Sequence, residues 1–187
     1  MLKFPLASLG AVLALFACGL ALFTFFRPPT TIDSRSLPVG SAQDETLDLT
    51  FSAPAWLRSG LAEDVALVLR REGIPESRAV WLASAELHAG GAVVSPSARR
   101  EGPLGPGDQV AYRWSVGAGS PGLIPVEISV RMQWDETGEG EILWADGSRL
   151  QVREYLGMDA ATARTAGILG SLISVITAII GRRWKAR

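Results

Sequence analysis

The sequence predicts an all-β domain flanked by two transmembrane α-helices, and three observations predict it. Residues 4–26 carry no charge. A second uncharged stretch, 165–181, runs into a cluster of positive charge. Between them, runs of alternating polar and apolar residues recur at short intervals, broken by Gly, Pro and Asp-Gly, which is the period of half-buried strands.

Composition bounds the rest. The chain has 187 residues, of which 48% are hydrophobic, too many for a disordered polymer. One Cys and one His exclude a disulfide framework and a Cys/His zinc centre. The net charge of −1 conceals an uneven distribution, because all 19 acidic residues lie between 33 and 159. Residues 30–163 hold only 11 arginines against them, so this stretch carries −8 and the two ends are positive. An acidic middle argues against a nucleic-acid surface, which needs concentrated Lys and Arg on phosphate.

The first helix is expected over 4–26. At 1.5 Å per residue it is roughly 34 Å long, enough for a hydrocarbon core of about 30 Å. Arg27, Pro28 and Pro29 stop it. A cleaved signal peptide would show a shorter apolar region of about 7–15 residues and a polar segment at the cut. Leu15-Phe16-Ala17-Cys18 is a poor lipoprotein box, since Phe16 is bulky and the residues after Cys18 stay apolar. Residues 1–27 are therefore assigned to an uncleaved anchor.

The second helix, placed at 161–181 with its uncharged part at 165–181, is only about 25 Å long over that part. Arg182, Arg183, Lys185 and Arg187 beside Trp184 mark a cytoplasmic interface by the positive-inside bias and the aromatic belt. Together with Arg27 they are the expected membrane-interface residues. Residues 182–187 form a basic cytoplasmic tail in this reading, and Lys3 puts the amino terminus on the same side. The domain then lies outside, periplasmic or extracellular on a bacterial cytoplasmic membrane. Small residues recur at helical spacing: Gly10, Ala14 and Cys18 in the first segment, Gly167, Gly170, Ser171 and Ser174 in the second. These are the expected helix-packing positions, against each other or against a partner's helices.

Residues 28–45 are polar and turn-rich and read as a spacer, with the domain at 46–160. Residues 46–51 alternate strictly and Pro54 ends them. Val110, Tyr112, Trp114 and Val116 share one parity, as do Val126, Ile128, Val130, Met132 and Trp134. Residues 142–144 and 150–152 flank Asp146-Gly147, a tight-turn signal. Residues 61–72 read as a strand bounded by Gly60 and Gly73; 79–87 and 91–94 are weaker strands. About seven short strands predict a β-sandwich that resembles the immunoglobulin or fibronectin type III class. Pro54, Gly60 and the run 65–69 resemble the opening strands of bacterial surface sandwiches, and 112–116 before a glycine loop resembles their later strands. This resemblance is architectural and implies no functional residue.

The chemical motifs dissolve on inspection. Gly117, Gly119 and Gly122 spell G-x-G-x-x-G, but Pro125 and a new strand follow where the dinucleotide motif needs a helix. Residues 135–146 share with a calcium loop its first acid and a glycine at the sixth position, yet Thr137 and Glu139 replace expected ligands. His88 and Glu86 share a strand face without a nucleophile in their sequence frame. No cofactor, metal or catalytic set is expected. Trp56 and Trp81 are candidate partner or ligand contacts, as aromatic residues serve both cores and interfaces.

The function expected is that of a non-catalytic accessory or assembly subunit. Its sandwich and helices would dock on a larger membrane protein complex, or on further copies of itself, within the lipid bilayer. The alternatives are a membrane-anchored ligand-binding, sensor or adhesion module, and an enzyme with an unrecognised carboxylate site.

Overall fold

The computed structural model describes residues 6–39, 45–73, 80–133 and 141–185. The cation-loop reading and Trp134 fall largely outside them. The chain divides into two compact units, Pro28–Arg153 and the pair of segments Met1–Arg27 and Glu154–Arg187.

The first unit is mostly β-sheet, with ten strands among the described residues rather than about seven. They are β1 (Thr30–Val39), β2 (Glu45–Pro54), β3 (Trp56–Arg58), β4 (Ala62–Gly73), β5 (Trp81–Ala89), β6 (Ala92–Ser95), β7 (Arg100–Leu104), β8 (Gln109–Ala118), β9 (Gly122–Gln133) and β10 (Glu141–Arg153). Two five-stranded sheets result, ordered β1-β2-β4-β8-β6 and β3-β10-β9-β5-β7. All pairs are antiparallel except β10 with the short β3. The G-x-G-x-x-G stretch joins β8 to β9, which lie in different sheets.

Two expectations are corrected here. The polar stretch read as a spacer forms β1 over Thr30–Val39, pairing with β2 from Thr30 opposite Pro54 to Val39 opposite Glu45. It is an edge strand exposed along nearly its whole length, so backbone ladder bonds rather than a buried face hold it and no alternation marks it. The Asp146-Gly147 pair does not turn the chain: β10 runs straight through, with Asp146 opposite Ile128 and Gly147 opposite Glu127. The unbroken partner β9 outcompetes the local turn preference. One register shift, between Ile142 and Trp144, is the irregularity in that ladder.

The sheets enclose one core. Alternate residues of β2, β4, β8, β5 and β9 point inward and are buried, among them Leu49, Leu67, Trp114, Leu87 and Val130. Tyr112 crosses the gap between the sheets, its hydroxyl donating to the carbonyl of Ala83 at 2.7 Å. The inward row of the central strand β4 reads Glu63, Val65, Leu67, Leu69, Arg71, all buried. Its two charged ends are paired: Glu63 with Arg58 of β3, and Arg71 with Glu45 of β2. Arg71 also lies over the Trp81 ring at 3.4 Å from its centroid and reaches the Leu104 carbonyl at 3.5 Å, so one guanidinium ties β2, β4, β5 and β7.

The second unit holds two helices, α1 (Leu6–Phe25) and α2 (Ala160–Lys185), packed on each other. The sequence placed two spans; among the described residues one helix, Ala160–Ile180, is long and apolar enough to cross a membrane. The described apolar part of α1, Ala11–Phe25, is shorter. The C-terminal helix begins one residue before and ends four residues beyond the expected 161–181, with Arg164 in its body. Asp159 caps it, accepting from the Thr162 amide at 2.8 Å, and these bonds hold its carboxyl below the usual carboxylate range.

Two outcomes follow. Arg71→Ala strands Glu45 in the core and is expected to cost about 3–5 kcal/mol, whereas Arg71→Leu with Glu45→Leu recovers most of the loss in a denaturant double-mutant cycle. Burial, with Glu101 adding to it, pushes the Tyr112 phenol from 10.0 up to about 12. The folded state thus holds the proton more tightly than the unfolded chain. This contribution is complete below pH of about 10 and is lost as pH rises through about 12, so alkaline unfolding and tyrosinate absorbance rise together. Tyr112→Phe separates them and costs about 1 kcal/mol through the lost hydrogen bond.

Candidate functional site

The helix pair is built with its small residues inside. On α2 the small buried or half-buried positions are Ala160, Ala163, Gly167, Gly170, Ser171 and Ser174, a three-four spacing that keeps one stripe on one face, with Arg164 half-buried beside them. On α1 the matching stripe is Ala14, Ala17, Ala21 and Thr24. The helices approach so closely that a Cβ at Gly167 would stand 2.8 Å from the Ala21 amide nitrogen and 2.9 Å from the Ala17 carbonyl. One at Gly170 would meet the Ala17 Cβ at 3.0 Å.

Set against the expected packing residues, Gly167, Gly170, Ser171, Ser174 and Ala14 lie on this seam. Cys18 is exposed beside it, its Sγ 3.3 Å from the Ser171 hydroxyl. The stripe in α1 is thus rotated toward Ala17, which lies beside the Gly10, Ala14 and Cys18 row that the four-residue spacing singled out. Nothing is described of the Gly10 surroundings. Ser171 and Ser174 return their hydroxyls to the carbonyls of Gly167 and Gly170 at 2.8 Å, so the seam holds no unsatisfied hydroxyl.

Arg164 is the residue sequence reading missed in this unit. Its guanidinium donates to the Thr24 carbonyl at 3.1 Å and lies 4.2 Å from the Phe25 ring centroid. It therefore caps the C-terminal end of α1, where a cation meets unpaired carbonyls and the negative end of the helix dipole. Its Nε is buried without a hydrogen-bond partner. Of the expected interface residues, Arg27 is exposed just beyond α1; Arg182, Arg183, Trp184 and Lys185 belong to or follow the last turns of α2 without described side chains, and Arg187 lies outside the described residues.

In the sandwich, Trp81 is buried beneath Arg71 and offers no surface to a partner, which corrects its reading as a contact. Trp56 is half-buried, its ring 4.4 Å from the Arg153 guanidinium. His88 is largely exposed on the outer face of its sheet, with Nε2 at 3.0 Å from Glu86. The three do not converge. Among the described residues no cluster of three metal-ligating side chains occurs.

A cleft of about 320 Å³ opens instead between the two sheets on the β1 side, walled by Phe51, Val126, Ile128, Trp144 and Leu150. It exists because β3 pairs only with Gln151, Val152 and Arg153 of β10. Among the described residues no strand covers the rest of that β10 edge. The indole Nε1 of Trp144, a buried residue, has no acceptor. At the mouth, Arg35 of β1 bridges Asp146 at 2.9 Å and Asp33 at 3.2 Å, 5.8 Å from the Trp144 ring centroid.

No protein-family model matches the chain, and no curated protein matches it. Among solved structures it is similar to the native conformation of Escherichia coli alpha-2-macroglobulin, at 17% identity and a TM-score of 0.40 over 63% of this chain. The chain spans 9% of that protein's length. It is also similar to a CARDB domain from Pyrococcus furiosus in complex with di-metal ions, at 10% identity and a TM-score of 0.35 over 69% of this chain and 91% of that one. A conjugative transposon lipoprotein from Bacteroides eggerthii matches at 9% identity and a TM-score of 0.28, over 65% and 96% of the two chains.

The close seam has a direct chemical readout. Ser171→Cys is expected to form a disulfide with Cys18 on mild oxidation, detected as a mobility shift that reductant reverses. Adding Gly167→Val, whose side chain meets the α1 backbone, is expected to lower the cross-linking yield severalfold by forcing the helices apart, at a cost of about 1–3 kcal/mol.

Proposed function

We propose that the chain is a membrane-anchored, non-catalytic accessory or assembly subunit. Both helices lie in a bacterial cytoplasmic membrane with the chain ends on the cytoplasmic side. The β-sandwich stands on the outer side and docks on a larger membrane complex.

The observation that carries this reading is the inverted polarity of the helix pair. Its buried positions are alanine, glycine, serine and threonine, with Leu20 and Arg164 half-buried, while Leu15, Phe16, Leu22 and Phe26 are 61–75% exposed. On α2, Leu169, Leu172, Ile173, Val175, Ile176 and Ile179 also face outward. A water-soluble pair would bury these large side chains and expose the small ones. In lipid the preference reverses, because close backbone contact drives association and large apolar groups lose nothing by facing acyl chains.

For the second crossing α1 is taken whole: its 20 residues rise about 30 Å, of which Ala11–Phe25 is the described apolar part. Arg164 then answers the polar end of α1 from within the pair, at the depth where an unpaired carbonyl is costly. The basic cluster at 182–187 orients α2. The outward faces of both helices remain for lipid or for partner helices, and the acidic sandwich remains for a partner's outer domain.

Native membranes washed with alkaline carbonate and then extracted in mild detergent test the reading in two steps. The protein is expected to stay with the membrane through the wash and to co-migrate with a larger complex in fixed ratio on a sizing column. Release by carbonate overturns the anchor, and migration as a lone monomer overturns the subunit role.

A further inference from the structure

We propose that the β10 edge and the cleft beside it receive an extended segment of the partner protein, added to the second sheet as a strand. The segment carries one apolar side chain into the cleft and, two residues away, one basic side chain at its mouth. This deepens the docking role proposed above and rests on it.

The backbone makes the first argument. β10 is thirteen residues long, but β3 pairs with only its last three. From Trp144 to Leu150 it is bonded on one side to β9, and among the described residues no strand lies on the other. That is an open ladder of roughly 23 Å at the rise of a strand, and an extended peptide is the ligand whose main chain satisfies it. The edge strand of the facing sheet, β1, is fully paired with β2 and overhangs this gap. Its inward positions Thr31, Asp33 and Arg35 are exposed because no strand of the second sheet faces them.

Side-chain chemistry makes the second. The wall formed by Phe51, Ile128, Trp144 and Leu150 accepts an aliphatic or aromatic group. The buried Trp144 N–H lacks an acceptor, and a peptide segment brings carbonyls at regular intervals.

Charge makes the third. Asp33 on β1 and Asp146 on β10 form an acidic pair across the mouth, and a guanidinium already sits between them, that of Arg35. The intramolecular arginine shows what the mouth binds. Asp33, Arg35 and Asp146 have 54%, 48% and 36% of their side-chain surface exposed, so this bridge is screened and exchangeable for a partner's basic residue. The apolar wall and this acidic pair lie on one face, so the partner residues that meet them are spaced by two. The domain's excess of acidic residues favours approach of such a segment.

The test uses the full chain in its detergent-extracted complex. Hydrogen exchange is compared between the free protein and the complex, and co-migration is measured for three variants. Protection is expected at 144–150 and along β1. Asp146→Asn is expected to weaken association about tenfold, Ser148→Trp to block it by filling the exposed side of the cleft, and Arg35→Ala to strengthen it severalfold by removing the competing guanidinium. A stabilising role alone for the Arg35 bridge predicts the opposite sign for Arg35→Ala. If the wild type co-migrates with its partner but protection falls elsewhere and the variants bind normally, the strand proposal is overturned and the subunit reading stands. Protection of 144–150 in a homo-oligomer makes the occupant a second copy and overturns the partner assignment. Absence of any co-migrating protein overturns both.

Discussion

The sandwich hangs on the inward row of β4, in which three aliphatic residues are bracketed by a buried glutamate and a buried arginine. A charge in a core is tolerable only when paired and hydrogen-bonded, so each bracket dictates its surroundings. Arg71 demands Glu45 from the neighbouring strand, the Trp81 face and a carbonyl from β7. Glu63 demands Arg58 from β3, which brings that three-residue strand to the opposite sheet. Aliphatic packing alone tolerates sliding of one sheet over the other, whereas the Glu63–Arg58 ion pair at one end of β4 and the contacts of Arg71 with Trp81 and the Leu104 carbonyl at the other do not. The Tyr112 hydroxyl adds a third tie between the sheets.

The helix pair packs in the opposite sense, as the proposed lipid setting requires. In the sandwich, large side chains meet inside and water takes the polar ones. In the pair, small side chains meet inside and the large ones are left out. Both obey the same rule, that a polar group withdrawn from water must find a partner: Ser171 and Ser174 bond their own helix, and Arg164 bonds the end of the other.

Much of the fold was legible because alternation records burial. β2, β4, β8 and β9 each bury one parity, and their sequences say so. β1 was illegible for the same reason, since an edge strand with neither face covered has no pattern to display. The Asp146-Gly147 pair misled because a local turn preference is weaker than a twelve-residue partner strand. Trp81 and Trp56 looked alike in sequence, and only the position of Arg71 decides that one is core. Small residues marked the seam on α2, where Gly167, Gly170, Ser171 and Ser174 fall on one face. They marked it less well on α1, where the four-residue spacing picked the Gly10, Ala14 and Cys18 row and the seam is turned toward Ala17 and Ala21. The cleft left no trace in the sequence: it arises from a strand that stops short, and its lining residues come from four separate stretches of chain.

The contact between Arg164 and Thr24 joins residues 140 positions apart, with the entire sandwich between them. During synthesis α1 therefore emerges long before the residues that complete it. Until α2 follows, its alanine face lacks its match and its last carbonyls lack their cap. A chain truncated anywhere within the sandwich carries α1 with that face still open. The same delay gives another small-residue helix an interval in which to claim the site first. The order of translation thus bears on which helix α1 packs against.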